Sequence, residues 1–569
     1  MDIPEELQFR DVRKQAPVII SKESRQVLPQ NGTNFEQGDS GSTQIVFRLP
    51  NEENSSTDLS TMWITADLSV QDLPQADNAS PPVTAFFGNN CTWCNDVEVK
   101  SVVAAENTQA TQPMLISCDS IESAIRQVHI LVNGSELERH DYYNYVESML
   151  NMHTNNANFS DSIGAGCMLM NLNPYEKNKL FIGNGAAART TSNTIQVSFP
   201  LRWCGVANLR SLVPTYLLGG GQSAIEIRLF LENANNFLCA GHLVYPAAGG
   251  TNTKTAPREF VPTITGLKYR LSNVRMNYDV VQTSDAYTSS LRSYLASNQL
   301  TLPIDTYYST QFDLPSSSGW SNFTISTQMS DISAVFIGFV KGHEQSNYAF
   351  CSTDRFYKPP GLEEARLQIN GKPYPNVNIR LSNNWAAPEA EAYQYLMKAL
   401  RQNCSLEVIG NSNQYRNVGK NIIYANAVGT TNTRQKQLSI TPSGLYYGIN
   451  KVAPSQTASP YLPQIITGIT TNTGLPTVAN AATQLLDGGV FDDTAHFWDS
   501  PSNFILGFDI SKSNYNNEYE LSGQDLTKSS GLIQVNLKFA QNPSDYRAIV
   551  VVKHKRILDI GLDSSQVIY

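Results

Sequence analysis

The sequence predicts an all-β protein made of two tandem β-sandwich domains. Three observations lead to this prediction: strand-like alternation along the chain, a shortage of charge, and landmarks that occur twice in the same order. The 569 residues suit two domains of about 200–250 residues each. Charged residues make up only 16% of the chain, against about 25% in typical soluble domains. Abundant uncharged polar residues and turn formers favour strands and loops over helices.

The strand prediction comes from alternation with a period of two. In residues 61–70, Trp63, Thr65 and Asp67 alternate with Ile64 and other apolar residues, as in a half-buried strand. Similar patterns predict further strands at 43–49, 127–132, 195–201, 224–231, 267–281, 307–314, 322–327, 332–340, 365–369, 504–510, 532–539 and 546–560.

Three helices are predicted. Ser284 suits the cap of a helix whose apolar face carries Tyr287, Leu291 and Leu295. Pro388 suits the first turn of a helix over 388–401. A third helix is predicted over 141–150.

Landmarks in the two halves indicate a duplication. An alternating strand ending in Asn133-Gly134 precedes a Tyr-rich helix, and a strand ending in Asn370-Gly371 precedes another. Asn-Gly after such a strand is a strong signal for a tight hairpin turn. Two further landmarks follow in the same order: the segments 225–229 and 533–537, and then Tyr-Arg at 269–270 and 546–547. Like domains in tandem follow from this order.

These patterns divide the chain into four parts. Residues 1–40 are predicted to be an N-terminal arm, 41–283 the first sandwich, 284–300 a linker helix, and 301–569 the second sandwich. A long loop at about 425–500 interrupts the second sandwich, and 151–194 is its predicted counterpart in the first. Loops of such length are uncommon unless they carry function or contacts.

Charge and hydropathy exclude several classes of protein. The net charge is −9 and the pI about 5.4, so the folded surface is not expected to bind nucleic acid directly. The sequence contains no apolar run of transmembrane length, and its first residues are not expected to act as a signal peptide. The eight cysteines lack a regular framework, which favours free thiols in a reducing compartment.

Several segments resemble catalytic or phosphate-binding motifs, but each lacks a feature that the motif requires. His343-Glu344 begins like a zinc-protease motif, but position 347 is Asn. Gly371-Lys372 and Gly419-Lys420 lack the Ser or Thr that follows in a phosphate-binding loop. The glycines at 219–221 precede a strand, so they lack the helix N-terminus that binds phosphate.

Cysteine and carboxylate pairs are weaker candidates. Cys91 and Cys94 have the spacing of a zinc or dithiol site, but two more ligands would have to come from elsewhere, such as Cys118 or His129. The interpretation preferred here is a loop with incidental thiols. The carboxylate pairs 363–364 and 492–493 are expected to point to opposite faces of a strand or into solvent. No catalytic, cofactor or metal site is therefore predicted, and the protein is not expected to be an enzyme.

Several segments resemble the double jelly-roll major capsid proteins of the adenovirus, large-DNA-virus and virophage lineage, and most closely those of virophages and Polinton-like viruses. The segments are the Asn-Gly turns with their helices at 128–150 and 365–400, the linker at 277–297, and the runs at 507–539 and 546–560. The resemblance extends over residues 43–565. It implies that each sandwich is an eight-stranded jelly roll.

The resemblance also implies a function. Three chains would form a pseudo-hexagonal homotrimer that tiles the icosahedral shell of a double-stranded DNA virus, with the loop at 425–500 as an outer tower. Partners would be other copies of the chain, penton and other minor capsid proteins, and an internal membrane by indirect contact. The protein would reside in the virion capsid after assembly in the host cytoplasm or nucleus. Two alternatives stay open: a viral or secreted receptor- or carbohydrate-binding β-sandwich, and a β-sandwich hydrolase.

Overall fold

The structure is a computed structural model. It describes residues 18–71, 114–118, 120–154, 166–167, 194–209, 211–218, 225–244, 259–262, 266–326, 329–342, 345, 356–359, 361–381, 389–400, 435–440, 446–450, 463–466, 504–512, 523–526, 532–543, 546–562 and 564–568. These residues are mostly β-strand, with sheets on either side of one connecting helix.

The first sandwich is built from two antiparallel sheets. Its strands are β1 (Ile19–Val27), β2 (Phe35–Gln37), β3 (Gln44–Leu49), β4 (Ser55–Gln71), β5 (Met114–Cys118), β6 (Ile125–Val132), β7 (Ser135–His140), β8 (Ile195–Phe199), β9 (Ile225–Leu231), β10 (Leu238–Val244), β11 (Glu259–Pro262) and β12 (Lys268–Thr283). One sheet has the order β1-β12-β4-β8, with β2 also paired to β12, and the other has the order β3-β9-β6-β7. A small third sheet, β11-β10-β5, pairs the segment that connects β4 to β6 with the segment that connects β9 to β12.

The second sandwich repeats this plan. Its strands are β13 (Leu300–Asp313), β14 (Gly319–Ser326), β15 (Ala334–Lys341), β16 (Leu362–Ile369), β17 (Lys372–Arg380), β18 (Gln435–Ile440), β19 (Tyr446–Asn450), β20 (Pro463–Ile466), β21 (Ile505–Asp509), β22 (Leu532–Phe539), β23 (Tyr546–Gly561) and β24 (Ser564–Ile568). Its sheets have the orders β13-β23-β15-β21 and β14-β22-β16-β17, with β24 added to β23.

Strand order identifies both sandwiches as jelly rolls. If β1 and β2 count as one strand and the small additional sheets are set aside, each half has eight strands. Counted along the chain, they pair in the orders 1-8-3-6 and 2-7-4-5 in both halves. This is the arrangement of two Greek keys that forms a jelly roll. The predicted fold class is therefore confirmed by the connectivity of this chain.

The predicted duplication landmarks lie at equivalent places in the two halves. Asn133-Gly134 joins the fourth and fifth strands of the first jelly roll, and Asn370-Gly371 joins those of the second. The backbone angles agree closely, with φ of 50° at each Asn and 79° at each Gly. Positive φ at both positions matches the twist of the flanking strands and forms the tight turn that the Asn-Gly pairs predict.

The three predicted helices are present. They are α1 (Tyr143–Thr154), α3 (Asp285–Leu295) and α4 (Ala390–Ala399), and a short additional helix α2 covers Ala234–Phe237. The side chain of Ser284 accepts a hydrogen bond from the Tyr287 amide, as expected of a cap. The predicted apolar face of α3 is only partly buried, because Leu295 is buried whereas Tyr287 is 40% exposed.

The predicted N-terminal arm is too long. Residues 19–27 form β1, which pairs with β12 along its length, and Phe35–Gln37 pairs with the other end of β12. The part of the predicted arm from residue 18 onward is thus a strand of the first jelly roll, and residues 1–17 lie outside the described residues. Polar composition misled the prediction, because β1 lies at a sheet edge where most of its side chains are exposed.

The two predicted long loops are described only in part. Within 425–500 the backbone of β18, β19 and β20 forms a three-stranded antiparallel sheet inserted between the fifth and sixth jelly-roll strands. Of 151–194, the structure describes the end of α1, residues 166–167 and residue 194. Among all the described helices, none has the length and apolar character needed to cross a membrane.

A glycine substitution tests the hairpin turn. A Cβ at Gly134 would meet no atom within 4 Å, so any penalty for Gly134→Ala comes from its φ of +79°. We expect Gly134→Ala to lower the free energy of unfolding by about 1–2 kcal/mol. Gly134→Asn is the matched control and should lose clearly less, because Asn tolerates this conformation. Urea denaturation measures both, and equal losses for Ala and Asn would contradict the turn assignment.

Candidate functional site: the junction between the two sandwiches

Helix α1 belongs to the first sandwich by sequence but packs into both. Tyr143 at its start lies in the hydrophobic core of the first sandwich. Tyr145, Val146, Met149 and Leu150 are buried in the core of the second. The helix follows directly from β7, so the end of that strand fixes where these side chains enter the neighbouring domain.

Apolar side chains also cross the junction in the other direction. Leu302 and Ile304 of β13, with Leu558 and Ile560 of β23, are buried in the core of the first sandwich. Fully burying one such side chain contributes about 1.5–3 kcal/mol. Because each domain supplies part of the core of the other, the two sandwiches form one packed unit rather than two independent domains joined by a linker.

Hydrogen bonds fix the register of the junction. Arg556 donates to the carbonyl oxygen of Leu137 at 2.9 Å and lies 3.7 Å from the carboxylate of Glu136. Asn133 donates to the Ser565 hydroxyl at 2.8 Å, and the amide of Tyr142 donates to the Ser309 hydroxyl at 3.1 Å. The Asn-Gly hairpin and the start of α1 are thereby tied to the second sandwich.

Two glycines permit close approach at the junction. A Cβ at Gly205 would lie 1.9 Å from the carbonyl oxygen of Asp305 in β13. A Cβ at Gly338 in β15 would lie 2.8 Å from the Met149 methyl group of α1. Real Cβ atoms do not come this near to other atoms. A larger residue at Gly205 would meet the backbone of β13 and push the two sandwiches apart, whereas at Gly338 the flexible end of Met149 would have to move aside.

A buried carboxylate lies beneath α1. Glu122 accepts a hydrogen bond from the hydroxyl of Tyr143 at 2.7 Å, and Glu147 accepts one from Ser120 at 2.8 Å. All four residues are buried. Burial, helped by the nearby charge of Glu147, raises the pKa of Glu122 to about 8. Glu122 therefore carries its proton in the folded protein at neutral pH.

A second buried cluster joins Glu138, His140 and Cys204. One ligand-type atom from each residue lies within 4.8 Å of the other two, and all three residues are buried. The Glu138 carboxylate accepts backbone hydrogen bonds from Gly205 at 2.7 Å and Val206 at 3.3 Å. Alternation in β7 places Glu138 and His140 on one face of the strand.

The ionisation of this cluster is governed by burial. Burial raises the pKa of Glu138 to about 8 and lowers the pKa of His140 to about 3. It also holds the pKa of the Cys204 thiol well above its usual range. His554 of β23 lies near enough for its charge to lower the pKa of His140 further. Neither ring nitrogen of His140 makes a hydrogen bond of normal geometry, although the backbone of Tyr307 is close enough to interact with the ring.

Several residues considered in the sequence lie outside the described residues. They are Cys91, Cys94, His343, Glu344, the glycines at 219–221, Gly419-Lys420 and the acidic pair 492–493. Gly371-Lys372 lies in the second hairpin turn. Cys118 lies buried in β5 and His129 lies in β6.

The pair Glu363 and Glu364 does not follow the expectation of opposite faces. Both carboxylates lie within reach of Lys538, at 3.4 Å and 3.0 Å. The cause is an irregularity in the pairing of β16 with β22 between Leu362 and Glu364. This interrupts the alternation of side chains at that point. The pair forms a surface ion cluster with a lysine.

No sequence motif indicates the cluster of Glu138, His140 and Cys204. Sixty-four positions separate His140 from Cys204, and no zinc motif has that form. The available signal was the Glu-x-His alternation in a segment followed by a helix. That segment was not predicted as a strand, so the shared face of Glu138 and His140 was not recognised.

Comparison with known proteins gives likeness of structure without likeness of sequence. No family model and no curated protein matches the chain. Its structure is similar to a model of the PBCV-1 virus capsid, with 8% identity, 96% of each chain covered and a TM-score of 0.46. It is also similar to the Faustovirus major capsid protein, with 10% identity, coverage of 98% and 93%, and a TM-score of 0.47. A structure of the Sputnik virophage matches with 9% identity, coverage of 100% and 92%, and a TM-score of 0.40.

Glu122 gives a pH dependence of stability with a defined sign. In the unfolded chain the pKa of a Glu side chain is about 4.3, whereas in the folded protein the pKa of Glu122 is about 8. The folded state therefore retains a proton that the unfolded state loses as the pH rises. The contribution of Glu122 to the free energy of unfolding is thus complete at low pH and declines between about pH 5 and 8. We expect Glu122→Gln to reduce the loss of unfolding free energy over this range, measured by urea denaturation.

The control for this prediction is Glu53→Gln, since the Glu53 side chain is 74% exposed. That variant should show the same pH dependence as the unaltered protein. Because Glu138 has a similarly raised pKa, Glu122→Gln should reduce the slope rather than abolish it. A slope equal to that of the unaltered protein would refute the assignment.

Proposed function

We propose that this chain is a major capsid protein that assembles as pseudo-hexagonal homotrimers and tiles the icosahedral shell of a double-stranded DNA virus. The observation that carries the proposal is the pair of jelly rolls fused through a reciprocal hydrophobic core. The two domains of a shell subunit have to keep their relative orientation when neighbouring subunits pack against them. Two domains that complete each other's cores meet this requirement.

The repeated strand order supports the trimer. Three copies of a chain with two like domains present six similar sandwiches around one axis, so a trimer can occupy a position with six neighbours. Both jelly rolls have the same strand order in their two sheets and the same conformation at their Asn-Gly turn. Obligate interfaces of this kind bury thousands of Å². The low proportion of charged residues, 16%, suits a surface that neighbours cover.

An exposed apolar patch at the start of β1 supports lateral contact with another copy. Val18, Ile19 and Ile20 are 48%, 52% and 60% exposed. The Val18 carbonyl accepts from the Ser284 amide, so these residues lie beside the start of α3 and the exposed Tyr287. β1 is also an edge strand of its sheet. Edges and apolar patches left open in one subunit are favourable sites for a neighbouring subunit.

The remaining parts of the proposal follow from the shell role. The protein would reside in the virion capsid after assembly in the host cell, and its partners would be copies of itself, penton proteins and other minor capsid proteins. Contact with an internal membrane would be indirect. The net charge of −9 makes direct binding of the genome unfavourable. No enzymatic activity and no catalytic cofactor are part of this role.

The oligomeric state tests the proposal. We expect the purified chain to have a mass of about three times 62.8 kDa in light scattering, and negative-stain microscopy should show particles of hexagonal outline. A monomer at micromolar concentration would overturn the proposal. A monomer that also binds glycans on an array would favour the carbohydrate-binding alternative.

The apolar patch can be tested separately. We expect Ile19→Asp combined with Ile20→Asp to weaken assembly, because charge would be buried at the contact between copies. Since both side chains are more than half exposed, the unfolding temperature should change little. Ser317→Asp, at an exposed polar position between β13 and β14, is the control and should assemble normally. Unchanged trimers and shells in the double variant would show that the patch is not a contact.

A further inference from the structure

We propose that Glu138, His140 and Cys204 bind a divalent transition-metal ion, zinc above all, at the junction of the two sandwiches. The carboxylate, imidazole and thiolate of these residues are the three ligand types that zinc uses in proteins. The structure brings them together from β7 and from the turn that begins at Cys204. The ion would act as a structural clamp, independent of the shell role.

The distances suit an ion after a small adjustment. Ligand atoms bound to one tetrahedral zinc ion, at about 2.0–2.3 Å from it, are about 3.3–3.8 Å from each other. The candidate ligand atoms already lie within 4.8 Å of one another. Side-chain shifts on the order of 1 Å would close the site, with no change in the strands that carry it.

The polar groups in the cluster are incompletely satisfied without an ion. His140 is fully buried, and neither of its ring nitrogens makes a hydrogen bond of normal geometry. A buried polar group without a partner destabilises the folded state. The Glu138 carboxylate accepts two backbone hydrogen bonds and one from the Thr306 hydroxyl, which leaves one of its four lone pairs to bind metal. An ion at this place would therefore supply a strong partner for a ring nitrogen of His140 that makes no hydrogen bond of normal geometry.

Charge also balances. On binding Zn²⁺, Cys204 would lose its thiol proton and Glu138 its carboxyl proton where it is still protonated, and both protons would go to solvent. Two anionic ligands and one neutral imidazole around a doubly charged ion give a neutral site. A neutral cluster can be buried at far lower cost than separated charges. A water molecule would fill the fourth position.

The position gives the ion a mechanical role. Gly205 follows Cys204 directly and lies against the carbonyl oxygen of Asp305 in β13. β7 also leads into α1, which packs into the core of the second sandwich. An ion joining β7 to the turn at Cys204 would hold both segments against the second sandwich. Binding would then contribute directly to the stability of the folded chain.

Metal analysis of the full-length chain tests the site. After zinc-supplemented expression and extensive dialysis, we expect about one zinc ion per chain by mass spectrometry. Cys204→Ala should lose most of it. Cys167→Ala, which removes another buried thiol of the same sandwich, should retain it. So should the double variant Cys91→Ser and Cys94→Ser. A metal-free protein, or zinc lost only from the double variant, would overturn the proposal.

Two measurements on the unaltered protein remain decisive even if the Cys204 variant does not fold. X-ray absorption at the zinc edge should show one sulfur neighbour at about 2.3 Å and nitrogen or oxygen neighbours at about 2.0 Å. A shell with several sulfur atoms, or with none, would contradict this ligand set. Removal of the ion with a chelator should lower the unfolding temperature, and zinc should restore it. An unchanged unfolding temperature would refute the clamp.

Discussion

The reciprocal packing at the junction is the interaction on which the rest of the structure depends. Helix α1 leaves the first sandwich and buries Tyr145, Val146, Met149 and Leu150 in the second, while Leu302 and Leu558 return into the first. Removing either contribution would expose apolar surface in both domains. The same packing fixes β7 and the turn at Cys204, so it also creates the buried clusters of ionisable groups. The packing of the two domains and the buried ionisable clusters thus have the same structural cause.

Burial at this junction has two opposite consequences. It contributes the apolar free energy that holds the domains together, and it isolates Glu122, Glu138 and His140 from water. Each of these groups responds by favouring its neutral form. The cluster around Cys204 differs from the Glu122 cluster, because it combines three ligand types and leaves a histidine without a normal hydrogen bond. This difference is the reason for inferring an ion at one cluster and not at the other.

Most of the fold was predictable because jelly-roll strands leave a local pattern. Alternation identified β4, in which Ile64, Ala66 and Leu68 are buried while Trp63 is more than one-third exposed. The Asn-Gly pairs identified two hairpins, since few residues other than Asn and Gly accept positive φ. Prediction missed several strands, among them β1, β7 and β17. β1 lies at an edge with most side chains exposed, and β7 buries the ionisable residues Glu138 and His140, so neither shows the usual alternation of polar and apolar residues.

The sequence by itself therefore determined the fold class, the duplication and the position of the connecting helix, because these depend on spacing between residues that are near in the chain. It could not determine that the two domains share their cores, or that Glu138 and His140 meet Cys204 sixty-four positions after His140. These features depend on which surfaces face each other after folding. Only the tertiary structure decides that, because burial and ligand geometry are properties of the assembled junction and not of any one segment.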